Sequence, residues 1–185
     1  MGEEKPKAYL METRAVIWNV EQGRKIYAEG FFGKPMGIYK PKTPEFDVPL
    51  VLDLIEAAYL LEKGRIEVVD QGDRPISLKD LFKYAKRTYT LFEERYRVYK
   101  DLRDAGYVVI SGLKFGSAFA IYKKGPGLEH APYIVDVMDR DEEIGSTEII
   151  RAGRLATSVR KRFIIAVPLG ETGEVRYLLF KWWKA

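Results

Sequence analysis

The chain has 185 residues, 46% of them apolar, and 31 basic against 27 acidic residues give it a formal charge of +4. That balance argues for a folded protein with one good core or two small ones; no run approaches the ~18 apolar residues of a membrane span, and Met1-Gly2-Glu3-Glu4-Lys5 lacks a signal peptide's apolar core, so a cytoplasmic protein is expected. With no cysteine and a single histidine, His130, the chain is excluded from disulfide, thiolate and cysteine-zinc chemistry and from histidine-rich metal sites.

In chain order, Ala8 to Trp18 and Lys25 to Phe32 are rich in β-branched, aromatic and apolar residues around Glu21-Gln22-Gly23, which predicts a hairpin. Gly33 to Pro44 then mixes Pro35, Pro41 and Pro44 with Gly37 and with Lys34, Lys40 and Lys42, the composition of a wet, basic surface loop. Val48 to Leu61 carries Val51, Ile55, Ala58 and Leu61 at helical spacing and ends at Lys63-Gly64, and Ile66 to Val69 reads as a short strand. Ser77 with Asp80 forms a capping box ahead of a helix bearing Leu78, Leu81, Phe82 and Ala85. A second helix places Phe92, Tyr96, Tyr99 and Leu102 on one face and stops at Gly106. The expected domain boundary lies near Thr88, dividing the chain into residues 1–88 and 89–185.

Beyond it, Tyr107 to Ile110 and Phe115 to Lys123 are predicted strands about Ser111-Gly112-Leu113-Lys114, and Tyr133 to Met138 is a third. Asp136 to Glu143 is an acidic stretch, whereas Arg151, Arg154, Arg160, Lys161 and Arg162 form a basic one without an acid between them. Between these, Ser146 can cap a helix whose Ile149, Ala152, Ala156 and Val159 share a face, turning Arg151 and Arg154 elsewhere. Phe163 to Val167 reads as a strand buried on both faces, and Gly170-Glu171-Thr172-Gly173 turns into a last strand, Val175 to Trp183. The fold class expected is α+β or mixed α/β: a small α/β N-terminal domain, then a C-terminal domain with a central mixed sheet flanked by helices.

No phosphate-binding loop or dinucleotide fingerprint is present, which argues against ATP-driven chemistry. A metal-dependent nuclease of the Asp…Glu-x-Lys type needs that tripeptide on a strand, yet Glu3-Glu4-Lys5 at the N-terminus is the one instance. What remains is an acid-base site around His130. Cleaving RNA through its own ribose 2′-oxygen needs a base at that hydroxyl, an acid at the leaving 5′-oxygen and a cation for charge building on phosphorus. Imidazole titrates near pH ~6.5, and lysine near ~10.4 is a dependable cation. Tyrosine, near ~10, is a poor base unless neighbouring cations favour the phenolate; otherwise it only orients the 2′-hydroxyl. On the predicted strand Phe115 to Lys123, alternation sets Phe115, Phe119 and Ile121 on one side and Tyr122 on the other, above Gly116, Ala118 and Ala120, leaving room for a substrate. His130 follows in the loop after that strand, and Lys161 begins the buried strand after the basic helix.

Three runs carry a resemblance: Gly112-Leu113-Lys114-Phe115-Gly116…Tyr122, the Gly125…Glu129-His130 loop, and Arg154-Leu155-Ala156-Thr157-Ser158-Val159-Arg160-Lys161-Arg162. Together, from about Tyr96 to the C-terminus, they resemble the C-terminal domain of archaeal tRNA-splicing endonucleases. The resemblance implies that Tyr122, His130 and Lys161 are the catalytic tyrosine, histidine and lysine, acting as base, acid and stabiliser, with no cofactor and no metal. It implies a precursor tRNA substrate with a bulge-helix-bulge at the exon-intron junctions, and 2′,3′-cyclic phosphate and 5′-hydroxyl products. Arg154 and Arg176 match paired arginines that sandwich a bulge base. Asp139, Asp141 and Glu142 resemble a loop inserted into a groove of another subunit, and the aromatic last strand resembles a dimer seam. A tetramer is implied, either of this chain alone or as α2β2 with a non-catalytic subunit. The loop Gly33 to Pro44 resembles an insertion found in part of the family, with Lys40 and Lys42 as candidate phosphate contacts.

Taken singly, the same residues have ordinary readings. Strand tyrosines usually pack, and loop histidines, strand-flanking lysines and charged loops are usually solvated. Arg151, Arg160 and Arg162 read as general basic surface, and Trp182 and Trp183 as core or interface. Two other functions compete: a non-catalytic RNA-binding subunit of the same assembly, and a metal-dependent DNA nuclease on a similar sheet.

Overall fold

The computed structural model describes residues 4–39, 41, 43–158, 161–170 and 173–180. The chain divides into two compact units, Met1–Glu93 and Glu94–Ala185. Both combine helices with a mixed sheet, an α+β architecture.

In the first unit, β1 (Lys7–Leu10) and β2 (Arg14–Ile17) form an antiparallel hairpin confined to the first of the two predicted segments. The second segment is helical: α1 spans Val20–Gly30, with the Asn19 side chain accepting from the Gln22 amide at 3.0 Å. Gly23, Ile26 and Tyr27 are its buried residues, spaced i, i+3, i+4, so a helical period lies beneath the strand propensity of Ile26 and Tyr27. Gly23 faces Leu50, whose Cβ would stand 3.0 Å from any Cβ placed there.

The run predicted as one helix from Val48 is half strand. β4 (Leu50–Asp53) buries alternate residues, Leu50 and Leu52, with a period of two. Asp53 then caps α2 (Leu54–Glu62) in a reciprocal box with Glu56. Within the predicted basic loop, β3 (Lys34–Pro35) adds a two-residue strand, and Gly33 takes φ +72 where a side chain would meet Leu52 and the Val51 carbonyl at 2.8 Å. Lys40 and Lys42 lie outside the described residues. With β5 (Glu67–Val69) parallel to β1, the sheet runs β3-β4-β2-β1-β5. Ser77 caps α3 (Leu78–Thr88) as predicted, its Oγ accepting from the Asp80 amide at 3.2 Å.

Helix α4 (Phe92–Asp104) buries Phe92, Tyr96, Tyr99 and Leu102, and the chain turns out at Gly106 with φ +87. The second unit's sheet follows: β6 (Val108–Ser111), β7 (Phe119–Tyr122), β8 (Tyr133–Val137), β9 (Arg162–Leu169) and β10 (Glu174–Phe180), in the order β10-β9-β8-β7-β6. Only β8 and β9 are parallel, joined through α5 (Ser146–Ser158). On one face, Tyr99 of α4 packs on Phe119 and Asp101 accepts from Tyr177 at 2.6 Å. On the other, Ala152 of α5 joins Ala120, Ile134, Phe163 and Ile165 in an apolar cluster. Ile149, predicted on the buried face of α5, is 53% exposed. Trp182 and Trp183 lie outside the described residues.

Candidate active site

Strand register decides what meets at one end of this sheet. Ile121 pairs with Tyr133 across the antiparallel β7–β8 step, and Tyr133 pairs with Arg162 across the parallel β8–β9 step. One residue further, Tyr122, Pro132 and Lys161 fall on the same row, and the Arg162 amide still donates to the Pro132 carbonyl at 3.0 Å. Residues paired on a row point to the same face, so the phenol and the ammonium rise from backbones two strand spacings apart, roughly 10 Å. That face is the α5 side, because Tyr122 packs against the cluster holding Ala120 and Phe163. His130 is exposed two residues before Pro132, at the same end of the sheet. The phenol and the ammonium group thus share one face, and His130 sits in the loop at that rim of the sheet.

The loop carrying His130 is tied down by a residue to which sequence reading gave no separate role. Glu129 accepts from the backbone amides of Lys123 and Lys124, the latter at 2.6 Å, and its own amide donates to the Gly125 carbonyl at 3.3 Å. These amides hold its carboxyl below the usual carboxylate range, with Lys124's amide the largest contribution. Gly127 turns the loop at φ +87, a left-handed conformation that favours glycine. The available signal was the spacing itself, an acid set to reach back to the amides that end β7.

Lys161 donates from Nζ to the Ala131 carbonyl at 2.5 Å, and the same ammonium stands 5.1 Å from the centre of the Phe115 ring. Burial, and then the charge of Lys114, pull its pKa below the ordinary lysine value. The Tyr122 phenol moves the other way. Burial and then the Glu129 carboxylate push it above the ordinary tyrosine value. The cationic surroundings that would favour a phenolate are therefore not what the chain builds around Tyr122; its neighbours hold the phenol protonated.

Phe115 departs from the expected strand. It closes a 3-10 turn, Leu113–Phe115, and packs on the Tyr122 side of the sheet, where alternation within one long strand had put it on the opposite side. Its ring packs against the cluster that includes Ala120, on the face that sequence reading had reserved for substrate. Arg151 is likewise not general basic surface: it binds the Asp136 carboxylate and donates to the Gly116 carbonyl at 2.9 Å, tying α5 to this turn.

Arg176 and the acidic turn lie away from the rim. Arg154 is exposed on α5. Arg176 pairs in register with Val167 and bonds Glu174 at 2.8 Å; it stands six residues along β9 from Lys161, about 20 Å. Asp139, Asp141 and Glu142 form a self-bonded turn: the Asp141 amide donates to Asp139 at 3.0 Å, and the Asp139 amide donates to Glu142 at 3.2 Å. Edge strand β10 leaves Tyr177, Leu178 and Leu179 exposed. Among the described residues no group of three or more His, Asp or Glu is placed to hold a metal ion, and no helix is long and apolar enough to cross a membrane.

Comparison with known proteins matches both units. Residues 92–177 match the family model of the tRNA intron endonuclease catalytic C-terminal domain, and residues 7–82 match that of the tRNA intron endonuclease N-terminal domain. A tRNA-splicing endonuclease of Hyperthermus butylicus is 52% identical over 178 residues, covering 96% of this chain and 98% of the relative. Proteins of the same description from Saccharolobus islandicus and Saccharolobus solfataricus are 45% and 44% identical over 179 residues, at the same coverage.

Proposed function

Because the chain belongs to the tRNA intron endonuclease family, we propose that it is the catalytic subunit of a tRNA-splicing endonuclease that cuts precursor tRNA without a metal ion. The observation that carries this reading is the shared row: Tyr122 and Lys161 stand on one face two strands apart, and His130 is three residues before the strand between them.

In the proposed reaction the ribose 2′-oxygen attacks its own phosphate and the bond to the 5′-oxygen breaks. The 2′-proton passes to Tyr122, acting through the small fraction present as phenolate, which a raised pKa makes scarcer but more basic. His130 delivers a proton to the departing 5′-oxygen, and Lys161 offsets the charge on the non-bridging oxygens. The products are a 2′,3′-cyclic phosphate and a 5′-hydroxyl.

A bulge-helix-bulge at each junction presents the single-stranded nucleotides such a site needs. Arg154 and Arg176 are proposed to clamp an unpaired base. Arg176 lies about 20 Å along β9 from Lys161, which fits a base held away from the phosphate cut at the same chain's lysine. Asp139, Asp141 and Glu142 on their exposed turn, and the apolar edge β10, fit contacts between subunits of a tetramer, either of this chain alone or as α2β2. Lys40 and Lys42 are proposed as phosphate contacts of the basic loop.

The test is cleavage of an intron-containing precursor tRNA in excess EDTA, with and without candidate partner subunits. Cleavage that persists, with cyclic phosphate and 5′-hydroxyl ends, is expected. Activity abolished by the chelator and restored by a divalent ion would overturn the metal-free mechanism. Binding without cleavage in every combination would make the chain a non-catalytic RNA-binding subunit.

A further inference from the structure

The turn Leu113–Phe115 joins β6 to β7 at the end of β7 opposite Tyr122, so strand order alone keeps it away from the reactive rim. Three fixed points fold it back. Gly112 is pressed against the β7 backbone, where a Cβ would lie 2.7 Å from the Phe119 nitrogen and 2.8 Å from the Ser117 carbonyl oxygen. Gly116 leaves the turn at φ +67, and Arg151 holds the Gly116 carbonyl from α5. The Phe115 ring thereby reaches the cluster that contains Ala120, against which Tyr122 also packs.

Two ammonium groups stand near that ring. Lys161 Nζ is 5.1 Å from its centre and Lys114 Nζ is 5.6 Å, so their separation cannot exceed the sum of the two. Lys114 is exposed, whereas Lys161 is half-buried. Like charges held this close repel, and Lys114 accordingly weakens the hold of Lys161 on its proton. An anion placed at the pair relieves that repulsion, and a phosphodiester strand supplies one charge per nucleotide.

We propose that Lys114 is a further phosphate-binding residue of this site, engaging the RNA backbone beside the phosphate that Lys161 faces, with the Phe115 ring as the platform that both cations contact. The inference rests on the functional reading above, which makes that rim the place where RNA is cut.

Binding of the native assembly to an intron-containing precursor tRNA, blocked by a 2′-deoxy nucleotide at each junction, tests Lys114 without turnover. For Lys114→Ala, affinity should drop roughly tenfold and the slope of log K against log salt should flatten by about 0.7, the value of one single-strand phosphate contact. Lys114→Arg should keep the slope, and the melting temperature of both variants should match the parent, because the side chain is exposed. Unchanged affinity and slope in Lys114→Ala would overturn the proposal. The functional reading fails by a separate sign, cleavage retained in the absence of the His130 imidazole.

Discussion

The two units use similar parts to opposite ends. In Met1–Glu93 several arginines are paired with carboxylates: Arg24 binds Glu21 and Asp47, Arg65 binds Glu29, and Arg74 binds Asp70. Its helices begin at side-chain caps, Asn19, Asp53 and Ser77, and its sheet is sealed by Leu50, Leu52, Leu54 and Ile55. In Glu94–Ala185, by contrast, the cation at the end of β9 rests on a carbonyl and an aromatic ring, and Glu129 spends its carboxylate on backbone amides instead of on a lysine. Carboxylate pairing neutralises a cation, while a carbonyl and a ring only orient it. The second arrangement leaves positive charge for a polyanion, which is the difference between a scaffold and a site.

If that contrast is right, substitutions in the two units should fail in different ways. The largest effect is expected for His130→Ala, a truncation of an exposed side chain: cleavage should fall by roughly 10²–10⁴-fold while the melting temperature and RNA affinity hold. A single-turnover assay beside a thermal scan reads both, and full activity in this variant would remove the imidazole from the mechanism. Leu54→Ala should do the reverse. Leu54 is completely buried at the start of α2, so its loss should cost about 2–5 kcal/mol in denaturant unfolding while the folded fraction keeps its cleavage rate. A loss of rate beyond the folded fraction would mean that the first unit takes part in the chemistry.

The subtlest effect concerns pH. In the proposed mechanism Lys161 must be protonated to counter the phosphate, and burial and Lys114 place its pKa below the ordinary lysine value. Cleavage should therefore decline on the alkaline side earlier than an exposed lysine would require. Tyr122, shifted upward, adds no earlier loss. In Lys161→Arg, whose charge does not titrate in this range, that alkaline limb should vanish from the residual activity. A limb that survives the substitution would assign it to another group.

The chain's own residues announced much of this. Ser77 with Asp80, the apolar face of Phe92 to Leu102 and the stop at Gly106 were readable because caps and helical periods are local. The runs around Tyr122, His130 and Lys161 pointed to the family before any fold was seen. The errors also have local causes. Ile26 and Tyr27 favour strands by propensity, yet a capped helix buries them; Val48 to Leu61 is largely apolar, so its switch from period two to helical period at Asp53 was masked.

Residue order alone thus determined the element types with strong local signals and the family, and it named Tyr122, His130 and Lys161 as the reactive groups proposed above. Tertiary structure decided which of them meet. The row of Tyr122, Pro132 and Lys161 exists because β7, β8 and β9 pair in one register, and pairing across a sheet leaves no mark on sequence spacing. The placement of Phe115, and with it Lys114, depends on a glycine pressed against β7 and an arginine reaching across from α5. Such contacts join residues that lie far apart along the chain, and only close packing of the folded backbone brings them together.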